Sequence, residues 1–126
     1  DYVVEMLKAA KLNKNYVSPL GKNTVLPMMH IKDAVSATLK LMSISREKIS
    51  TSSAYNLGSF ETSPHQWNKI IASLGYSLKL DFKEDFRQTI ADSWPKKIDD
   101  SLFRKDVLWT PEFDAKSTAE DILKLI

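Results

Sequence analysis

Cysteine is absent from this sequence, which excludes disulfides, a thiol nucleophile and thiolate metal sites, and fits an intracellular chain. Glycine is scarce. Gly21, Gly58 and Gly75 stand too far apart for the glycine-rich fingerprint of a dinucleotide or P-loop site. His30 and His65 are the two histidines, so a metal site of the usual kind would need carboxylates at a spacing that is not present. Excess charge is lacking too: 18 basic against 16 acidic residues leaves +2, with the lysines scattered. That gives no grip on nucleic acid or an anionic membrane surface. No apolar run approaches the roughly 18 residues of a membrane span, and there is no secretory signal pattern. Tyr2, Tyr16, Tyr55 and Tyr76 are not followed four residues later by lysine, and no serine sits in a nucleophile-elbow context. The common catalytic pairs are missing.

What is present is one domain's worth of ordinary globular sequence: 126 residues, 43% hydrophobic and 27% charged. It opens at Asp1, without an initiator Met, on what reads as a helix already under way, as expected for part of a longer protein. Val3, Leu7 and Ala10 make that helix amphipathic to about Lys11, and Asp1 suits its N-terminus. Residues 15–20 read as a short strand ending in the Gly21-Lys22-Asn23 turn, and 24–31 as an extended run that Pro27 confines to an edge. A helix follows, with Asp33 as N-cap or first-turn acid and Val35, Leu39 and Met42, flanked by Ala34 and Thr38, as its buried stripe. Residues 43–53 read as a surface loop and 53–57 as a strand ended by Gly58. Thr62-Ser63-Pro64 starts a helix carrying Trp67, Ile70, Ile71 and Leu74, and Tyr76 to Leu80 alternates as a strand. Asp99-Asp100-Ser101 caps a short helix, residues 109–113 form an extended linker, and 117–126 close as a helix with Ala119, Ile122, Leu123 and Ile126 inward.

One stretch looks built for more than packing: Asp85-Phe86-Arg87-Gln88-Thr89-Ile90-Ala91-Asp92-Ser93-Trp94-Pro95. Phe86 and Ile90 make one helical face apolar. Pro95 forces Trp94 onto extended backbone at the helix end, with Asp92 and Ser93 beside it as short polar groups. Trp94 at such a corner either plugs the core or walls a small pocket.

Several pieces together resemble one family, the extended short-chain dehydrogenases of the L-threonine 3-dehydrogenase type. They are Asp1-Tyr2-x-Val4-Glu5, Leu26-Pro27-Met28-Met29 followed by Asp33-Ala34, Tyr55-Asn56, and the run from Asp85 to Pro95. Ile98-Asp99-Asp100-Ser101, Arg104-Lys105-Asp106 and Trp109-x-Pro111-Glu112-Phe113-Asp114 complete the set. They keep the family's order and spacing over essentially the whole chain, and the run from Asp85 to Ser101 is specific. There are departures. His30 stands where these enzymes usually have tyrosine, a substitution common in epimerase relatives, and it reads as a neutral structural histidine. Val107-Leu108 replaces a usual Trp-Gly, which puts the local turn in question.

The resemblance implies a Rossmann-type α/β fold of which residues 1–126 are the C-terminal, substrate-binding half, with the last strand of the nucleotide-binding sheet near 53–57. The N-terminal half, absent here, would hold the glycine-rich NAD site and the catalytic tyrosine and lysine, leaving this segment inactive alone. The whole enzyme would oxidise L-threonine to 2-amino-3-oxobutyrate with NAD and no metal, as a homodimer through the absent half. It would be cytoplasmic in a bacterium or mitochondrial in a eukaryote. Asp1 and Trp94 carry over as substrate-binding residues, attracting the ammonium group and closing the pocket. Arg87, Asp92 and Ser93 are candidates for lid or pocket support, Arg87 also as a structural salt bridge. Two other readings are a nucleotide-sugar epimerase or dehydratase of the same fold and a non-catalytic binding module. A segment cut from its other half should leave apolar surface exposed.

Overall fold

The computed structural model describes residues 1–126. Six α-helices and four three-residue strands follow one another in the order α1 (Tyr2–Lys11), β1 (Tyr16–Ser18), β2 (Leu26–Met28), α2 (Ile31–Ser43), β3 (Phe60–Thr62), α3 (Pro64–Ser73), β4 (Leu80–Phe82), α4 (Phe86–Ser93), α5 (Ser101–Val107) and α6 (Ala115–Leu125). The strands form two separate pairs. β1 lies parallel to β4, with Tyr16 opposite Leu80, and β2 antiparallel to β3, with Pro27 opposite Glu61. Pro27 sits at a sheet edge, where its missing N–H costs no ladder bond.

Three helices make the main core. Val3, Met6, Leu7 and Ala10 of α1 meet Trp67 and Ile71 of α3 and Ala119 and Leu123 of α6. Each of these helices carries its own start signal. Asp1 accepts from the Val3 N–H, and Ser63 and Gln66 form a reciprocal capping box with Pro64 in the first turn. Asp114 and Ser117 do the same for α6, which therefore starts two residues earlier than its apolar stripe suggests. A smaller core gathers Ala37, Phe103, Val107 and Trp109.

The structure differs from the sequence expectations at four places. α2 begins at Ile31 with His30 as its N-cap, the imidazole Nδ1 accepting from the Lys32 N–H at 3.1 Å, and Asp33 is the acid of its first turn, one of the two places the sequence allowed. Its buried face, however, is the other one: Asp33 and Ala37 are buried, while Val35, Leu39 and Met42, with Ile31, face out. The sequence offers two stripes, and the one that packs contains a carboxylate, Asp33, satisfied by backbone N–H donors from Glu112 and Phe113. Residues 53–57 form no strand, because a strand exists only against a neighbour and none lies beside them; Tyr55 and Leu57 instead pack on the smaller core. The strand expected at 76–80 starts at Leu80, where the ladder to β1 begins, and β3 is unforeseen. The apolar face of α4, Phe86 and Ile90, is exposed.

The Val107-Leu108 departure has a measurable consequence. Leu108 is the C-cap of α5 at φ 54°, ψ 46°, in the left-handed region that a side chain disfavours. Its side chain is 78% exposed, so nothing is lost by removing it. Leu108→Gly is therefore expected to stabilise the chain by about 1 kcal/mol in urea unfolding. A destabilisation would show that Leu108 makes a contact that outweighs the backbone strain.

Candidate functional site

Three elements converge on one cleft of about 240 Å³: the N-terminus of α1, the residues that follow β1, and α4. Asp1, Tyr2 and Glu5 contribute from α1, Pro19 and Leu20 from the turn, Leu26 from β2, and Arg87, Ile90, Ala91 and Trp94 from α4 and its end. Asp1 and Glu5 are four residues apart, so one helix face presents both carboxylates. Trp94 caps α4 on extended backbone (φ −85°, ψ 151°), as its place before Pro95 demands, and is 55% exposed. It does not plug the core. A second cavity of about 630 Å³ adjoins the first across Asp1, Tyr2, Leu26 and Trp94 and runs past Met28 and His30 to Lys32 and Asp121.

The cleft's electrostatics are set by a small network. The Tyr16 hydroxyl donates to Glu5 Oε2 at 3.0 Å, and Arg87 donates to both oxygens of Asp85, from Nε at 3.0 and 3.1 Å and from Nη2 at 2.6 Å. Those hydrogen bonds hold the Asp85 carboxyl below the ordinary range and the guanidinium above its own. Burial, with Glu5 adding to it, pushes the Tyr16 phenol up, and burial does the same to Tyr2. Both tyrosines therefore stay protonated at neutral pH, so neither is a ready base. Asp85 also caps α4, accepting from the Arg87 N–H, so one carboxylate fixes both the helix start and the guanidinium.

Of the residues expected at a site, Asp1, Trp94 and Arg87 come together here. Asp92 lies on the opposite side of α4, in a polar hollow with Lys22, Thr24 and Lys96, where it accepts from Gln88 Nε2. The Ser93 hydroxyl donates to the Ile90 carbonyl and borders neither cavity. Glu5 was not anticipated, although its i, i+4 spacing from Asp1 was visible. Nor was Gln88, whose partners are more than sixty residues away in sequence. His30 is buried, with Nε2 3.2 Å from Asp121 Oδ2 and its ring stacked on Phe113 at 4.0 Å, consistent with a structural role. No helix is long and apolar enough to cross a membrane.

No protein-family model matches the chain. An uncharacterized epimerase/dehydratase of Staphylococcus haemolyticus is 37% identical, over 100% of this chain and 40% of the relative. A monomeric L-threonine 3-dehydrogenase from a metagenome, solved in its apo form, is 38% identical with a TM-score of 0.91, over 98% of this chain and 40% of that one. A GalE-like L-threonine dehydrogenase of Cupriavidus necator, in its holo form, is 32% identical with a TM-score of 0.94, over 100% of this chain and 41% of that one. The chain thus spans about 40% of the length of the relatives it matches. In sequence and in fold, it matches the C-terminal portion of proteins of the epimerase/dehydratase (extended short-chain dehydrogenase) type.

Proposed function

We propose that the chain is the substrate-side half of an NAD-dependent L-threonine 3-dehydrogenase, oxidising L-threonine to 2-amino-3-oxobutyrate. The observation that carries this reading is the charge of the cleft. Its two cavities present Asp1, Glu5 and Asp121 against only Arg87 and Lys32, and each of those cations is already paired, with Asp85 and Asp121. A surplus of carboxylate suits a substrate that carries an ammonium group. It repels the diphosphate of a nucleotide sugar, for which unpaired cations would be needed. The threonine dehydrogenase structures support the same choice, whereas the relative named an uncharacterized epimerase/dehydratase keeps the epimerase or dehydratase reading as the second one.

In this reading Asp1 holds the ammonium, Arg87, already held by Asp85, lines the cleft beside it, and Trp94 closes over the substrate and excludes water. The chain itself offers no cradle for NAD, since Gly21, Gly58 and Gly75 lie on three separate loops. The cofactor and the proton-accepting tyrosine are assigned to the remaining part of the protein, which would also cover the outward face of α2 and pair residues 53–57 as a strand. Dimerisation is assigned to that part too.

Asp1 has a second duty as helix cap, and the two can be separated. Asp1→Ser keeps an oxygen to accept from the Val3 N–H, so stability should change by only a few tenths of a kcal/mol. Losing a charge-assisted contact should raise KM for L-threonine about ten-fold or more in the full-length protein. An unchanged KM would remove Asp1 from the site and weaken the proposal.

A further inference from the structure

We infer that Gln88 is the positioning residue that holds α4, and with it Arg87 and Trp94, over the cleft; this rests on the cleft being the substrate site. α4 is loosely attached for a helix that carries a lid. It buries only Ala91, leaves Phe86 and Ile90 exposed, and its entry is tied by one backbone bond, Asp85 N–H to the Pro19 carbonyl at 3.2 Å. Its one side-chain link from within the helix to the rest of the fold is Gln88. There Oε1 accepts from the Gly21 N–H at 2.8 Å and from the Thr24 hydroxyl at 3.0 Å, while Nε2 donates to Asp92 Oδ1 at 2.6 Å.

The orientation of this amide is fixed by chemistry. A backbone N–H only donates, so the carbonyl end must face Gly21; Asp92 only accepts when ionised, so the NH₂ end must face Asp92. Asp92 lies one turn further along the same helix, away from the cleft. It therefore serves by orienting Gln88 rather than by touching substrate. Together they pin the middle of α4 to the turn between β1 and β2. Trp94, at the far end of the helix, inherits its position from that pin.

The test uses Gln88→Ala, Gln88→Glu and Gln88→Glu combined with Asp92→Asn, in the full-length protein. Gln88→Glu keeps size and an acceptor for Gly21 and Thr24 but sets a second carboxylate against Asp92. Adding Asp92→Asn supplies a donor and should restore the link. The first readout is acrylamide quenching of the fluorescence component that Trp94→Phe removes; Trp67 and Trp109 are buried and contribute little. The second is KM against kcat for L-threonine. Gln88→Ala and Gln88→Glu are expected to increase Trp94 quenching measurably and to raise KM about ten-fold with kcat changed much less, because the loss is in placement of the lid. The double variant should return both readouts towards wild type, which a general loss of packing would not do. Unchanged Trp94 quenching in Gln88→Ala and Gln88→Glu overturns the inference, as does a double variant no better than Gln88→Glu. Altered and rescued quenching in a protein that does not turn over L-threonine upholds the positioning role and removes the proposed substrate instead.

Discussion

Asp33→Ala is expected to destabilise the chain by about 3 kcal/mol, more than any substitution of an exposed charge. Asp33 is 1% exposed, and both of its carboxylate oxygens are used: Oδ1 accepts from the Glu112 N–H at 2.9 Å and Oδ2 from the Phe113 N–H at 3.0 Å. Phe113 in turn stacks on His30, which caps α2 and reaches Asp121 on α6. One carboxylate thus fastens the first turn of α2 to the segment leading into α6. Alanine leaves two partly buried backbone donors without an acceptor and a void where the side chain was. Each bond to a charged group contributes about 1.5–3 kcal/mol, and relief of burying the carboxylate offsets part of the loss. Asp33→Asn keeps one acceptor but turns an NH₂ against the other donor, so about 2 kcal/mol is expected. Urea unfolding measures both. A loss below 1 kcal/mol for Asp33→Ala would mean that water replaces the carboxylate without penalty and that the clamp is incidental.

Trp94→Ala is expected to do the reverse: little to stability and much to activity. The indole is more than half exposed and belongs to neither core cluster, so unfolding should shift by less than about 1 kcal/mol. Its ring, however, walls both cavities at the point where they meet. Without it the proposed substrate is open to water on one side and less constrained in orientation. A fall of about 100-fold in kcat/KM for L-threonine is expected in the full-length protein, with Trp94→Phe retaining part of the closure and losing about ten-fold. Equal and large losses of stability in both variants would assign Trp94 to packing after all.

How much of this was legible in the sequence differs from element to element for physical reasons. α1, α3 and α6 could be read because capping residues and apolar stripes agree, as at Asp1 with Val3 and Leu7, and at Ser63-Pro64 with Trp67. α2 carries two stripes, and the sequence favours Val35, Leu39 and Met42 because the competing one contains Asp33. Only the long-range donors at Glu112 and Phe113 make that burial tolerable, and no local pattern announces them. Residues 53–57 have strand composition but no partner within this chain, and without a partner no ladder forms. At the cleft, Trp94 was legible from the Trp-Pro step, and Arg87 from its place on the same helix. Glu5 was not, since an acid on the polar side of an amphipathic helix reads as solvated. Gln88 was hidden for the reason Asp33 was: its partners Gly21 and Thr24 are distant in sequence. The exposed face of α2, with Ile31, Val35, Leu39 and Met42 turned outward, agrees with the expectation that apolar surface would be left uncovered.

NAD reduction by the full-length protein, with L-threonine and a UDP-hexose offered separately, decides between an amino acid and a nucleotide sugar as the substrate. The carboxylate-rich cleft should give NADH formation that depends on L-threonine, saturates, and falls about 100-fold in kcat/KM with Trp94→Ala, and no turnover or tight binding of the UDP-hexose. Tight binding or conversion of the UDP-hexose with no oxidation of L-threonine would contradict it, because the carboxylate-rich cleft would then be accepting the diphosphate it is argued to repel.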